Sequence, residues 1–175
     1  MSLKIDPNAP DDGGGFNTPP WLTAGQHVVW AADIAYSDSQ NGDRVLEVLF
    51  ACVDGPQAGA RMYERFYLTQ RAAWKIRKMA RALGCTTAFD AFIESETREV
   101  MCARPVRVNV TTWQTNKGDD RPQVDRGSFE RFDGEVTEQM ESYVVRLEDY
   151  AAELKKKQRG SRVSRPVGAS DDIPF

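Results

Sequence analysis

Five short stretches of the chain have the alternation, or the content of β-branched and aromatic residues, that is typical of β-strands. Turn-forming residues separate them, among them the pair Asn41-Gly42, which suits a hairpin because it tolerates positive φ angles. In residues 61–68 and 104–113 apolar and polar positions alternate most regularly. The predicted strands are 25–36, 44–53, 61–68, 104–113 and 122–132.

Between the third and fourth predicted strands the apolar period becomes helical. Thr69 is a suitable N-cap and Gly84 a suitable residue just past the last turn. A short second helix is predicted over 87–94. This order predicts a mainly β protein with helices, namely a five-stranded oligonucleotide/oligosaccharide-binding (OB-fold) barrel with its helix between strands 3 and 4.

A heptad-like apolar series follows the predicted barrel and predicts an amphipathic helix over 135–159. Fewer than three heptads are marginal for an independent coiled coil. The series leaves open whether the helix packs back on the barrel or joins two copies in a homodimer. Its members are Val136, Met140, Tyr143, Leu147, Tyr150 and Leu154.

The two ends of the chain are rich in Gly, Pro, Ser and Asp and poor in apolar residues. Such segments bury too little surface to order themselves. We therefore expect a flexible leader over 1–20, a folded domain over 21–134, and a disordered linker with an acidic tip over 160–175.

Positive charge is concentrated in one part of an otherwise acidic chain. The net charge is -3, yet residues 61–83 contain seven Lys or Arg and a single Glu. On the third predicted strand, alternation puts Arg61, Tyr63, Arg65 and Tyr67 on one face. Cations that neutralise phosphates, interleaved with rings that stack on unpaired bases, favour single-stranded nucleic acid as the ligand.

Barrels of this type bind on the face of strands 2 and 3, flanked by the loops after strands 1 and 4. Here those loops are 37–43 and 115–120. Tyr63, Tyr67 and Trp113 are predicted to stack on bases. The basic residues predicted to contact the DNA are Arg44, Arg61, Arg65, Lys75, Arg107 and Lys117.

Residues typical of catalysis are sparse. His27 is the single histidine and lies in an apolar strand, so a histidine-based triad is unsupported. The Gly13–Gly15 run lacks the flanking residues of a phosphate loop. We expect no enzyme, no cofactor and no metal. Without an apolar run of about 18 residues we also expect no membrane span. The three scattered cysteines, Cys52, Cys85 and Cys102, without a secretory signal, indicate reduced thiols and hence a cytoplasmic location.

The last five residues, Asp171, Asp172, Ile173, Pro174 and Phe175, resemble the C-terminal tip of bacterial single-stranded DNA-binding proteins. Residues 25–132 resemble a family of phage-encoded single-stranded DNA-binding proteins, on the segment 46–59, the strand 61–68 and the helix end Ala82-Leu83-Gly84. The resemblance implies a protein that coats single-stranded intermediates of phage DNA replication or recombination. Its tip would recruit replication, recombination or repair proteins.

Two alternatives remain open. The barrel and tip are also compatible with an adaptor that recruits replication proteins without binding DNA. An RNA-binding or annealing protein is the other alternative, because stacking rings and cations do not by themselves separate DNA from RNA.

Overall fold

A computed structural model describes residues 18–85 and 97–163. It contains six strands, three α-helices and one 3₁₀ turn, Asp125–Gly127. The strands are β1 Gly25–Asp38, β2 Arg44–Cys52, β3 Arg61–Tyr67, β4 Val106–Gln114, β5 Asp120–Val124 and β6 Glu130–Arg131. The helices are α1 Ala73–Ala82, α2 Thr97–Met101 and α3 Glu138–Val163.

The strands form one antiparallel sheet in the order β3-β2-β1-β4-β5, with β6 also paired to β4. The first and last strands of this path, β3 and β5, lie next to each other. The backbone N–H of Val124 on β5 donates a 2.8 Å hydrogen bond to the Glu64 carboxylate on β3. A side chain therefore links the two ends of the sheet.

The predicted fifth strand, 122–132, is wrong as one continuous element. Arg126 and Gly127 have φ angles of 44° and 64°, which a strand cannot accommodate. The chain turns there, and β6 resumes pairing with β4 through Val106 and Arg107. The Ser128 hydroxyl fixes the turn, since it accepts from the Asn109 N–H at 3.0 Å and contacts the Asn109 carbonyl at 3.2 Å.

The first strand carries a β-bulge that sequence alternation did not predict. Its register on β2 shifts between Ala31 and Asp33. Trp30 and Ala32 therefore face α3, whereas Ile34 packs against the opposite, main core. Strict alternation over 25–36 would put Val28, Trp30, Ala32 and Ile34 on one face, and the bulge breaks that pattern before Ile34.

The helices after β3 differ from their predicted bounds. Helix α1 begins at Ala73, because Thr69 caps only the preceding turn, where its hydroxyl accepts from the Ala72 N–H at 3.2 Å. Gly84 has a φ of 75° and follows the helix end as predicted. The predicted helix over 87–94 lies outside the described residues, and α2 was not predicted.

Helix α3 packs on its own sheet. Met140, Val144, Leu147, Tyr150 and Ala151 are buried against the outer face of β1 and β2. These residues form a second core with the outer face of the sheet, and the main core lies on the other side of the sheet, under α1. Val136 is exposed and precedes the helix, and α3 continues to Val163, beyond its predicted end.

No helix in the described ranges has the length and apolar character needed to cross a membrane.

A buried carboxylate ties α2 and α3 to the sheet. Asp33 on β1 accepts from Arg98 on α2 and from Lys155 on α3, each at 2.8 Å. Burial alone would raise the pKa of Asp33, but the hydrogen bonds from Lys155 and Arg98 outweigh it and hold the pKa below its usual value. Asp33 is thus charged at neutral pH and its two partners stay fixed.

Candidate nucleic-acid interface

A cleft of about 700 Å³ opens between β3, β5 and the start of α1. We call it the aromatic cleft. Four large rings that line it are substantially exposed: Tyr63 (37%), Tyr67 (41%), Trp74 (49%) and Trp113 (45%). Its other lining residues are Trp21, Glu47, Glu64, Arg65, Ala72, Lys75, Thr115, Arg121, Pro122 and Gln123.

The alternation predicted for β3 is confirmed. Met62, Glu64 and Phe66 point into the protein, and the intervening residues point outward. The outward face is not uniform, however, because α3 covers one end of it. The Arg61 end lies under Tyr150 of α3, while the Tyr67 end is open.

Arg61 is engaged in packing rather than lining the aromatic cleft. Its guanidinium carbon lies 3.8 Å from the centre of the Trp21 ring and 5.4 Å from that of Tyr150. It also donates a 2.8 Å hydrogen bond to the Tyr150 hydroxyl. Its predicted phosphate contact remains a prediction, and its observed partners fasten α3 and Trp21 to β3.

Trp21 is held at the mouth of the cleft by backbone pairing. The Arg61 N–H donates to the Pro20 carbonyl at 2.8 Å, and the Leu22 N–H donates to the Arg61 carbonyl at 2.9 Å. The Trp21 ring meets Tyr63 edge to face at 5.9 Å, and the Arg121 guanidinium lies 4.8 Å above it. The ring therefore connects β3 with β5 and positions both neighbours.

The Tyr63 phenol stays neutral at physiological pH. Burial raises its pKa to about 12, and the neighbouring Tyr150 hydroxyl acts in the same direction. The ring nevertheless keeps an open face in the cleft. A neutral phenol adds no negative charge that would repel a phosphate.

Two cations of the cleft have weakly held partners. Arg65 lies opposite Glu47 in the β2–β3 ladder, with 3.0 Å between Nε and Oε1. Arg121 lies opposite Trp113 in the β4–β5 ladder, 3.6 Å from the Asp119 carboxylate. Exposed pairs of this kind contribute little stability and are screened by salt. Both cations are therefore held only by weak, screened ion pairs.

Lys75 is held more firmly than its neighbours. Its ammonium is paired with the buried Glu64 carboxylate and donates to the Arg65 carbonyl at 2.9 Å. Glu64 is only 6% exposed and also accepts from Val124 of β5. One carboxylate therefore joins α1, β3 and β5 around the base of the cleft.

A second hollow, of about 510 Å³, continues the cleft toward the β1–β2 loop. Glu47, Arg65 and Tyr67 line both cavities. The remaining lining of this loop hollow comes from 37–45, including Asp38 and Asp43. Together the two cavities form a trough that runs from β5, across β3, to the loop predicted to flank the site.

Other predicted site residues lie away from the aromatic cleft. Arg44 stacks over Tyr36 at 4.6 Å, near the β1–β2 turn. Arg107 lines a separate hollow of about 340 Å³ beside His27. Lys117 is exposed in the β4–β5 turn, whose Thr115 does line the cleft. The acidic tip, 171–175, lies outside the described residues.

Sequence reasoning missed three of the residues that line the cleft: Trp21, Trp74 and Arg121. The sequence could have indicated Trp74, because a tryptophan outside the apolar stripe of an amphipathic helix is expected to expose its ring, and a large exposed ring suggests a binding role. Trp21 and Arg121 carried none, since their place in the cleft depends on β3 and β5 meeting.

The described residues contain no group of three or more His, Cys, Asp or Glu that could hold a metal ion. The aromatic cleft presents rings and cations, beside the carboxylates of Glu47 and Glu64. The chain matches no protein-family model and none of the curated proteins with which it was compared.

Proposed function

We propose that the protein binds single-stranded DNA in the aromatic cleft and acts without catalysis. One observation carries this proposal: four exposed rings and three cations line a single cleft. Exposed tryptophans and tyrosines scattered singly need no explanation, but rings gathered beside cations provide what single-stranded nucleic acid needs.

The chemistry of the cleft favours an unpaired strand over a duplex. Its rings offer π-faces, which stack on any base whose own face is free. In a duplex those faces are already stacked, and only phosphates and groove edges remain accessible. We therefore propose binding with little sequence preference.

We further propose that the sheet is an OB-fold barrel, with β6 added to its five strands. The meeting of β3 and β5 through Glu64 and Val124 supports this, because it brings the two ends of an open path together. The place of α1 between β3 and β4 supports it as well.

The biological setting is a proposal that rests on the resemblance to phage-encoded proteins. In that setting the protein coats single-stranded intermediates of replication or recombination in the host cytoplasm. Its tip, 171–175, recruits replication, recombination or repair proteins.

Salt dependence provides the test. Arg65 and Arg121 line the aromatic cleft, and the exposed Lys117 lies in the β4–β5 turn that borders it. None of these three has a buried carboxylate partner among the described residues, so we expect about three phosphate contacts. Each contributes roughly -0.7 to the slope of log K against log salt for a single strand, which predicts a slope of about -2. Fluorescence anisotropy with labelled oligo-dT across a salt series measures this slope.

The same titration with duplex and with RNA of equal length separates the alternatives. The proposal expects much weaker binding to duplex. Equal affinity for duplex, or no binding to oligo-dT at low salt, rejects the proposal, and a clear preference for RNA supports the RNA-binding alternative.

A further inference from the structure

Trp74 of helix α1 is the fourth exposed ring of the aromatic cleft, and the other three come from the sheet. Trp74 is the second residue of α1 and lies next to Ala73, which belongs to the buried apolar stripe with Ile76 and Met79. Its own side chain is 49% exposed and lines the aromatic cleft. The ring is thus presented to the cleft and not to the core.

The Trp74 ring packs against the turn that follows β5. Gly127, in the 3₁₀ turn after β5, has a φ of 64°, and a Cβ atom built there would lie 2.8 Å from Cζ3 of Trp74. The indole therefore packs directly on the backbone of the turn, and there is no room for a side chain at Gly127. On the helix itself, the Lys78 ammonium lies 5.5 Å from the ring centre.

We propose that Trp74 is a base-stacking platform, so that an unpaired base of the bound strand lies between α1 and the sheet. This inference rests on the proposed function and adds a binding residue to it. A ring immobilised before the ligand arrives loses little conformational freedom on binding, which favours affinity. The Gly127 turn, which interrupts the strand, is then the device that orients the platform.

Removing the ring is the first test. Stacking of one base corresponds to a loss of about 5- to 150-fold in affinity when the ring is deleted. We expect this loss for oligo-dT in Trp74→Ala, and most of the affinity to be retained in Trp74→Phe. Thermal melting of each variant reports whether it is folded.

Displacing the ring without removing it is the second test. In Gly127→Ala the new methyl group would lie 2.8 Å from Cζ3 of Trp74, which is too close, so we expect the indole to shift and oligo-dT to bind more weakly with all four tryptophans present. Gly55→Ala is the matched control, because Gly55 has a φ of 77° and nothing within 4 Å of its Cβ position. The control has a similar backbone strain but leaves Trp74 in place, and we expect it to bind normally.

These outcomes separate the inference from the function on which it rests. If the wild type binds oligo-dT and the folded variants Trp74→Ala and Gly127→Ala bind equally well, the platform is refuted and the proposed function stands. If the wild type does not bind, both are refuted. Loss of affinity in Gly127→Ala but not in Gly55→Ala supports the platform.

Discussion

Replacing Glu64 with leucine is expected to lower the free energy of unfolding by about 3 to 5 kcal/mol. Its carboxylate, 6% exposed, pairs with Lys75 of α1 and accepts from the Val124 N–H of β5. Leucine has a similar volume but accepts no hydrogen bond. The substitution therefore leaves a partly buried ammonium and a backbone donor unpaired at the junction of β3, β5 and α1.

Urea unfolding followed by circular dichroism measures this loss. The double variant Glu64→Leu/Lys75→Met removes both charges, so we expect it to recover part of the stability, while the unpaired Val124 N–H keeps it below the wild type. Glu141→Leu, an exposed site on α3, is the control and should change stability by no more than about 0.5 kcal/mol. A Glu64→Leu protein as stable as this control would show that the carboxylate does not join the sheet ends.

Replacing Leu147 with aspartate is expected to destabilise the protein by about 4 kcal/mol or more. Leu147 lies on the buried face of α3, has no exposed surface and packs with Trp30 and Leu49 of the sheet. The change removes a buried aliphatic side chain, which costs about 2 to 5 kcal/mol, and adds the desolvation of a carboxylate. Denaturant unfolding is again the measurement.

Val145→Asp is the matched control on the same helix, since Val145 is 51% exposed. We expect it to leave stability nearly unchanged. Light scattering of both variants then tests the homodimer left open by the heptad series. A wild-type dimer that Leu147→Asp converts to a stable, folded monomer would contradict the packing of α3 on its own sheet.

The face of β3 was predictable because it depends only on the two-residue period of a strand. Tyr63, Arg65 and Tyr67 point outward as alternation requires, and Glu64 points inward with Met62. What alternation does not contain is the cover over that face. Arg61 meets Tyr150, 89 residues further along the chain, and no local pattern predicts such a contact.

The split of the predicted fifth strand has a local cause that the pattern of apolar residues hides. Arg126 takes a positive φ, which is rare for arginine, and the adjacent Gly127 takes another. The periodicity of apolar residues does not predict this turn, although the turn packs against Trp74 beside the cleft. The heptad series predicted α3 but not its partner, because an apolar seam fits a sheet or another helix equally well.

The central claim is that the exposed rings of the aromatic cleft bind single-stranded DNA. Its most direct test is the affinity of Tyr67→Ala/Trp113→Ala for oligo-dT, beside the wild type and a surface control, Val145→Ala. Each ring that stacks a base contributes about 1 to 3 kcal/mol, so we predict a loss of about 30-fold or more, with an unchanged melting temperature. A folded double variant that binds within twofold of the wild type would contradict the claim.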